Sequence, residues 1–332
     1  MAESRRQALL FLGGAVLVYL MVKAALITGY LNPYWARILD NGLIVAIISL
    51  GLSIIYGFTG QFSIGHAAFA GLGAYAAGLV GKTYADAGLP IMFVALVFGA
   101  FVAGFIAYLI GLPVLRLKSD YLGIATLGFG IIVTVGFNNS DRIIPMLNGA
   151  RGMFGIPQFA TFDIIFIIFI LTIILCRNFV HSSYGRAVTS IREDEVAANV
   201  VGINPFKYKM VAFVLGCTLA GLGGALYAFR YPFLHPTSFD FLWSINYLLI
   251  VVLGGLGSLT GTIITAVGWV FLLEVLRIVL GEQFLDFRGV LYALILIVTI
   301  LVRRQGIFGG IEYGFLKPQI SRKGVNRVAA RG

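Results

Sequence analysis

The sequence predicts an all-α polytopic membrane protein with about eight to ten transmembrane helices, some of them Gly-interrupted or re-entrant. Hydrophobic residues make up 59% of the 332 positions and charged residues only 11%, whereas a soluble domain carries about 25% charged residues. The mean hydropathy is +0.96, and long apolar runs recur along the whole chain. This composition provides too little charge to cover a surface that faces water.

Ten apolar runs are candidate membrane spans, because a helix needs about 20 mostly apolar residues to cross the hydrocarbon core. The runs are 7–28, 40–56, 62–81, 91–111, 121–137, 162–176, 209–229, 240–256, 259–280 and 288–302. The first run has no small-residue cleavage site behind it, so we interpret it as a retained span. Gly and Ala enrich 62–81, and Gly punctuates 121–137 and 240–256, which favours broken or re-entrant helices there.

The distribution of basic residues predicts the orientation of the chain. Ten spans place both termini on one side, and with that side in the cytoplasm most of the 24 Lys and Arg residues lie inside. The polar segment 177–209 is then cytoplasmic. We predict a transmembrane permease domain over 1–316 and a basic cytoplasmic tail over 317–332, which would bind anionic lipid rather than nucleic acid.

Two further features are less informative. The predicted outer loop 138–161 is rich in turn residues and could meet an external partner or act as a connector. Cys176 and Cys217 fall in or beside apolar runs, where cysteine behaves as a small hydrophobic residue. We therefore expect neither a disulfide nor a metal site.

The polar segment predicts a short amphipathic helix followed by a turn. Acidic residues 193–195 stand where such a helix would begin, and carboxylates favour the positive end of the helix dipole. Val196, Val200 and Ile203 recur at helical spacing and form an apolar stripe. Gly202 is suited to the C-cap. The helix could rest on lipid or insert into a groove of a cytoplasmic partner.

The letters EVAANVVGIN (195–204) resemble the cytoplasmic coupling motif of ABC-transporter permeases. In that family the loop docks into a nucleotide-binding ATPase subunit. The resemblance implies a coupling loop over about 185–208, in which small residues allow a close approach to the partner. The implied coupling residues are Arg192, Glu193, Glu195, Ala197, Ala198, Gly202, Ile203 and Asn204.

Four other motifs narrow the resemblance to permeases of the LivM type, which serve branched-chain amino acids. They are GFTGQFSIGHAAFAGLGAY (57–75), RLKSDYLGIATLG (116–128), LAGLGGALY (219–227) and VLGGLGSLTG (252–261). Together the similarity covers roughly 40–305. It implies a permease subunit of an ATP-driven importer in the inner membrane of a bacterial or archaeal cell.

The resemblance also implies partners. They are a second homologous permease, two cytoplasmic ABC ATPases and a periplasmic or extracellular solute-binding protein. The chain has no G-x-x-x-x-G-K-[ST] phosphate loop, so we expect it to bind neither ATP nor another cofactor and to be a transporter subunit rather than an enzyme. Related permeases carry leucine, isoleucine and valine, and others serve urea, amides or aromatic acids; the similarity favours the amino-acid type.

Two Gly-interrupted segments, 57–73 and 254–261, occupy comparable places in the two halves of the chain. Interrupted helices in corresponding halves indicate a transport path, although glycine also permits close helix packing. The candidate path residues are Gln61, Ser63, His66, Asn246, Gly254, Gly255 and Gly257. The alternatives are a cytoplasmic-edge position for Gln61 and Ser63 and a packing role for His66.

Charges within the spans are few, and each is costly in a membrane. Glu274 and Arg277 stand at i, i+3 on one span, where we expect them to neutralise each other. Lys23 is expected to extend its ammonium group outward to the membrane interface. The spans carry no carboxylate or histidine relay, which favours ATP-driven transport over a secondary carrier. The three histidines are far apart and lack paired carboxylates, which argues against an intramembrane enzyme.

Overall fold

The computed structural model describes most of the chain. The described residues are 2–30, 32–117, 119–280, 290, 294, 295, 297, 298, 301, 306–309, 312, 313 and 316. The predicted span 288–302 lies mostly outside them, and the predicted tail 317–332 lies entirely outside them. The division between a permease domain and a tail therefore stays a prediction.

Helices dominate the described part of the chain. They are α1 (Ala2–Ile27), α2 (Pro33–Leu52), α3 (His66–Thr83), α4 (Leu89–Val114), α5 (Ser119–Asn138), α6 (Phe162–His181), α7 (Ser183–Glu193), α8 (Glu195–Val200), α9 (Pro205–Arg230), α10 (Phe241–Gly254) and α11 (Leu259–Leu280). A π-helical turn, Ser53–Phe58, continues α2, and short 3-10 turns cover Ala85–Ala87, Ser140–Arg142, Pro145–Leu147, Gly149–Arg151 and Pro236–Phe239. Strand β1 (Met153–Phe154) pairs antiparallel with β2 (Phe233–Leu234).

Eight helical stretches in the described residues are long and apolar enough to cross a membrane. This result confirms the prediction of an all-α polytopic membrane protein. Helix α3 is not one of the eight, although its 18 residues would extend about 27 Å. It is buried along most of its length, because the small residues that lower its hydropathy let neighbouring helices pack against it.

Helix α9 forms the centre of the bundle and packs against α2, α3 and α4. The contacts are so close that they exclude side chains at several glycines. A methyl group on Gly73 would lie 2.1 Å from the carbonyl oxygen of Gly221, and one on Gly221 would lie 2.3 Å from Cβ of Ala103. One on Gly51 would lie 2.4 Å from the carbonyl oxygen of Gly216. The glycines of 219–227 therefore act as a helix-packing surface.

The bundle has two ends, which are defined by contacts between distant segments. At the coupling-loop end, the segment 57–65 meets α7, the start of α9 and the turn between α10 and α11. The opposite end, called the ribbon end, carries the two-stranded ribbon of β1 and β2. There, the ammonium group of Lys82, near the end of α3, donates to the carbonyl oxygen of Met146 at 3.5 Å. Helix α3 therefore runs from one end to the other and is not re-entrant, contrary to one of our expectations for 62–81.

The loop 138–161 is tied to the ribbon end. Its strand β1 pairs with the segment after α9, and Ala160 N–H donates to the carbonyl oxygen of Phe229 at 3.2 Å. The sequence did not predict this ribbon, because two-residue strands leave no alternating pattern to detect.

The prediction for Lys23 is wrong. Its ammonium group lies 2.6 Å from a carboxylate oxygen of Asp163 on α6, and Tyr19 also donates to that carboxylate at 2.9 Å. The lysine pairs with a carboxylate because a charge in a span is stabilised by an opposite charge on a neighbouring helix.

Two other ion pairs lie in the spans, one within a single helix and one between two helices. Glu274 and Arg277 pair at 3.4 Å on α11, as predicted. A pair that the sequence did not reveal joins Arg230 at the end of α9 to the buried carboxylate of Asp40 on α2, at 2.7 Å. Asp40 and Asp163 were missed because each is a single charge at the edge of an apolar run, and only the folded bundle provides its partner.

Candidate functional site

Two short helices at the coupling-loop end replace the single helix predicted from the sequence. Helix α7 ends at Glu193, Asp194 is extended, and α8 begins at Glu195. The Asp194 carboxylate accepts hydrogen bonds from the N–H groups of Val196 and Ala197, both at 2.9 Å. The three acidic residues therefore do not all begin one helix. Asp194 divides the segment because a free carboxylate acceptor makes it a good N-cap.

Gly202 ends α8, as the sequence predicts. Its φ of +88° lies in the left-handed region that side chains disfavour. Gly202 N–H donates to the carbonyl oxygen of Asn199, and Ile203 N–H donates to that of Ala198, each at 3.0 Å. The side chain of Asn204 then accepts from Lys207 N–H at 3.2 Å and caps α9. The turn between α8 and α9 is thus fixed on both sides.

Helix α8 presents an apolar surface away from the bundle. Val196, Val200 and Val201 are 74%, 82% and 74% exposed, while Ala198 is buried and Ile203 is half-buried. The predicted stripe is therefore exposed at its first two positions. The candidate coupling residues Glu193, Glu195, Ala197, Gly202 and Asn204 are exposed around it. An apolar patch surrounded by polar residues is typical of an interaction surface.

The start of α8 is tied to α9, and α9 is in turn tied to the segment 57–65. The Lys209 ammonium lies 2.6 Å from the Glu195 carboxylate. The carbonyl oxygen of Lys209 accepts from the side-chain amide of Gln61 at 3.0 Å. The candidate path residue Gln61 therefore lies at the coupling-loop end, in contact with the backbone that follows α8.

Arg192, on the last turn of α7, connects the two Gly-interrupted segments. Its guanidinium donates to the carbonyl oxygen of Gly57. A methyl group on Gly60 would lie 3.2 Å from Cγ of Arg192, and one on Gly257 would lie 2.7 Å from its Nη1. Both glycines have φ above +70°. The structure thus brings a candidate coupling residue into contact with both turns that the sequence assigned to the transport path.

The first of these turns is buried and well hydrogen-bonded. Thr59 donates its hydroxyl to the carbonyl oxygen of Ile54 at 2.8 Å, and Ile64 N–H donates to the Thr126 hydroxyl at 3.1 Å. Gln61 and Ser63 are buried, and within the described residues neither Oε1 of Gln61 nor Oγ of Ser63 has a hydrogen-bond partner.

His66 begins α3 and is fully buried. Its Nε2 lies 2.9 Å from the carbonyl oxygen of Ile48, and its ring meets the Tyr247 ring edge to face at 6.4 Å. This arrangement favours the packing role over a place on an open path.

The second turn joins α10 to α11. Gly255 and Gly257 have φ of +107° and +82°, and a methyl group on Gly254 would lie 2.7 Å from the carbonyl carbon of Gly261. The Ser258 hydroxyl accepts from Gly261 N–H at 3.0 Å and caps α11. All three candidate path glycines therefore shape a tight turn at the coupling-loop end.

Glu312 holds this turn from the C-terminal side. Its carboxylate accepts from Leu259 N–H at 2.6 Å and from the Thr260 hydroxyl at 2.8 Å. Burial raises the pKa of the Glu312 carboxyl above its usual value. The sequence did not predict this contact, since Glu312 belongs to no motif and lies 52 residues from Thr260.

Asn246, the remaining candidate path residue, lies apart from the others. It stands in the middle of α10 and lines a cavity between α2, α10 and α11. The seven candidate path residues therefore do not form one site, because the two glycine turns lie at the coupling-loop end and Asn246 lies deeper in the bundle.

Comparison with known proteins identifies the family of the chain. A family model described as branched-chain amino acid transport system / permease component matches residues 34–300. The chain is 30% identical to the high-affinity branched-chain amino acid transport system permease protein LivM of Salmonella typhimurium, over 80% of this chain and 68% of that protein. It is 28% identical to the permease protein BraD of Pseudomonas aeruginosa, over 84% of this chain and 97% of that protein.

A more distant match is the permease protein LivH of Salmonella typhimurium, at 24% identity over 84% of this chain and 97% of that protein. No solved structure matches the chain significantly. The family model covers most of the chain and includes both glycine turns and the coupling loop. The chain is therefore a multi-pass membrane protein that belongs to the family of permease components of branched-chain amino acid transport systems.

Proposed function

We propose that the chain is the permease subunit of an ATP-driven ABC importer for branched-chain amino acids, forming half of the translocation path. The observation that carries the proposal is the contact of Arg192 with both glycine turns, next to a short helix with exposed valines. The printed names of the relatives, LivM and BraD, support branched-chain amino acids as the substrate over urea or other amides.

The proposed assembly contains a second homologous permease, two cytoplasmic ABC ATPases and a periplasmic or extracellular solute-binding protein. The similarity to both LivM and LivH proteins supports a paired arrangement of permeases. We place the coupling-loop end and both termini in the cytoplasm of a bacterial or archaeal cell, because basic residues concentrate in cytoplasmic loops. ATP binds only to the ATPase subunits.

In this mechanism, α8 docks into a groove of an ATPase subunit through Val196, Val200 and Val201. Movement of the ATPase displaces α7 and α8 together, because Asp194 joins them and caps α8 directly after the end of α7. The pair between Glu195 and Lys209 ties α8 to the start of α9. Arg192 passes the displacement to the Gly57 carbonyl and to the turn at Gly257. The two turns then change the packing of the helices that border the path.

Site-directed crosslinking tests the docking surface. The native cysteines, Cys176 and Cys217, are buried, as the sequence predicts. A cysteine introduced at position 200 would therefore be more accessible to a crosslinking reagent than either native cysteine. A Val200→Cys variant in the native membrane should crosslink to an ATPase subunit. The matched control, Phe233→Cys, places an exposed cysteine at the ribbon end and should not.

Uptake of labelled leucine by the same membranes separates the outcomes. Crosslinking at position 200 together with ATP-dependent leucine uptake would support the proposal. Leucine uptake without crosslinking at position 200 would contradict the docking surface, and uptake of urea in place of leucine would contradict the substrate.

A further inference from the structure

A cavity of about 170 Å³ lies between α2, α10 and α11, in the half of the bundle nearer the ribbon end. It is lined by the aromatic side chains of Trp243, Tyr247 and Trp269 and by aliphatic side chains from all three helices. A cavity of about 150 Å³ accepts a benzene molecule. The space is therefore suited to a small, largely apolar group.

The cavity also has a polar side, formed by Asn41, Asn246 and Glu274. The Oδ1 atom of Asn246 is buried and has no hydrogen-bond partner among the described residues. The Glu274 carboxylate, at the edge of the cavity, accepts from the Tyr34 hydroxyl and pairs with Arg277. Buried polar atoms are normally paired, and the unpaired oxygen of Asn246 therefore indicates a missing donor.

The cavity is placed between the ribbon end and the glycine turns. A smaller pocket next to it shares Asn41, Trp243 and Tyr247 and extends towards Ser238 and Phe239 in the turn before α10. On the other side, the Tyr247 ring separates the cavity from His66 at the start of α3. A molecule that entered from the ribbon end would reach this cavity before it met the coupling-loop end.

We propose that this cavity is a binding site for the transported amino acid. The branched aliphatic side chain lies between Trp243 and Trp269, and the α-ammonium group donates to Oδ1 of Asn246 and faces the Glu274 carboxylate. The amide of Asn41 is placed to donate to the α-carboxylate. Small-molecule sites are typically apolar with a few polar groups that fix orientation, and this lining has that composition. The inference rests on the proposed function, because that function provides the amino acid.

Photo-crosslinking of the intact transporter tests the site. A leucine analogue with a diazirine in its side chain is added to membranes that contain the full assembly, and the labelled peptides are identified by mass spectrometry. We expect labelling of α10 and α11 around Trp243 and Trp269, and loss of that labelling with excess leucine. Labelling elsewhere in a membrane that imports the analogue would overturn the site but leave the proposed function intact.

Two tryptophan substitutions on α11 provide a matched comparison. Val270 lines the cavity, whereas Val275 is exposed on another face of the same helix. Val270→Trp should lower leucine uptake at least tenfold and abolish the labelling, while Val275→Trp should leave both unchanged. Equal uptake by both variants would overturn the site. Absence of leucine uptake in the unaltered protein would instead overturn the proposed function, and the inference with it.

A third variant, Asn246→Leu, tests the polar contact. It keeps a side chain of similar size and removes the acceptor oxygen. We expect the leucine concentration for half-maximal uptake to rise at least tenfold while the ATPase subunits still copurify. An unchanged concentration dependence would contradict the role of Asn246.

Discussion

Replacing Arg192 with alanine removes the side chain that joins α7 to both glycine turns. The guanidinium donates to the Gly57 carbonyl and lies against Gly257. A matched control is Arg186→Ala, since Arg186 is also on α7 but donates to the carbonyl oxygen of His181 at 3.1 Å. Comparison of the two variants separates the contact with the turns from the general loss of a basic residue.

The expected loss of leucine uptake is estimated from the hydrogen bond that the substitution removes. A hydrogen bond that involves a charged group contributes about 1.5–3 kcal/mol. The Arg192 side chain is 32% exposed, which favours the lower part of that range. Because about 1.4 kcal/mol corresponds to a tenfold change in an equilibrium, we expect Arg192→Ala to reduce leucine uptake by about tenfold or more.

The assay measures leucine uptake and ATP hydrolysis in the same reconstituted assembly. We expect Arg192→Ala to keep basal ATP hydrolysis and lose most uptake, because α8 and its valines remain in place for docking. Arg192→Lys should recover part of the uptake, since lysine restores the charge but not the planar guanidinium. Uptake by Arg192→Ala at the level of Arg186→Ala would refute a mechanical role for this residue.

Three further predictions concern the coupling loop. Gly202→Asp should abolish transport while the chain stays in the membrane, because a side chain at φ +88° costs about 1–2 kcal/mol and displaces the end of α8; uptake and an immunoblot of the membrane fraction check this. Glu195→Lys should have the same effect by replacing the pair with Lys209 by a repulsion, and normal transport by both variants would contradict the docking assignment. A cysteine at position 190 should react only with reagents added from the cytoplasmic side, and labelling from outside would invert the proposed orientation.

The sequence predicted the broad architecture because apolar runs of sufficient length have few alternatives to membrane helices. It also predicted the end of α8 at Gly202, since a glycine after an apolar stripe is a local signal. Helix α7 was missed because Ser183–Glu193 lies inside a polar segment where no long apolar run marks a helix.

Contacts between distant residues were beyond the reach of the sequence. Arg192 was included in the coupling loop, but its contact with Gly57 spans 135 residues and depends on how α7 packs on the bundle. Lys23 was interpreted alone because its partner Asp163 lies 140 residues away. Asn246 was assigned to the path from its polarity, and only the packing of α2, α10 and α11 placed it in a cavity.

Affinity purification of the tagged chain from its native membrane, followed by mass spectrometry, tests the central proposal most directly. The account predicts that two ABC ATPase subunits and a second homologous permease copurify with the chain. A chain that purified alone and transported leucine in liposomes without ATP would contradict the docking role of α8 and would establish a secondary carrier instead.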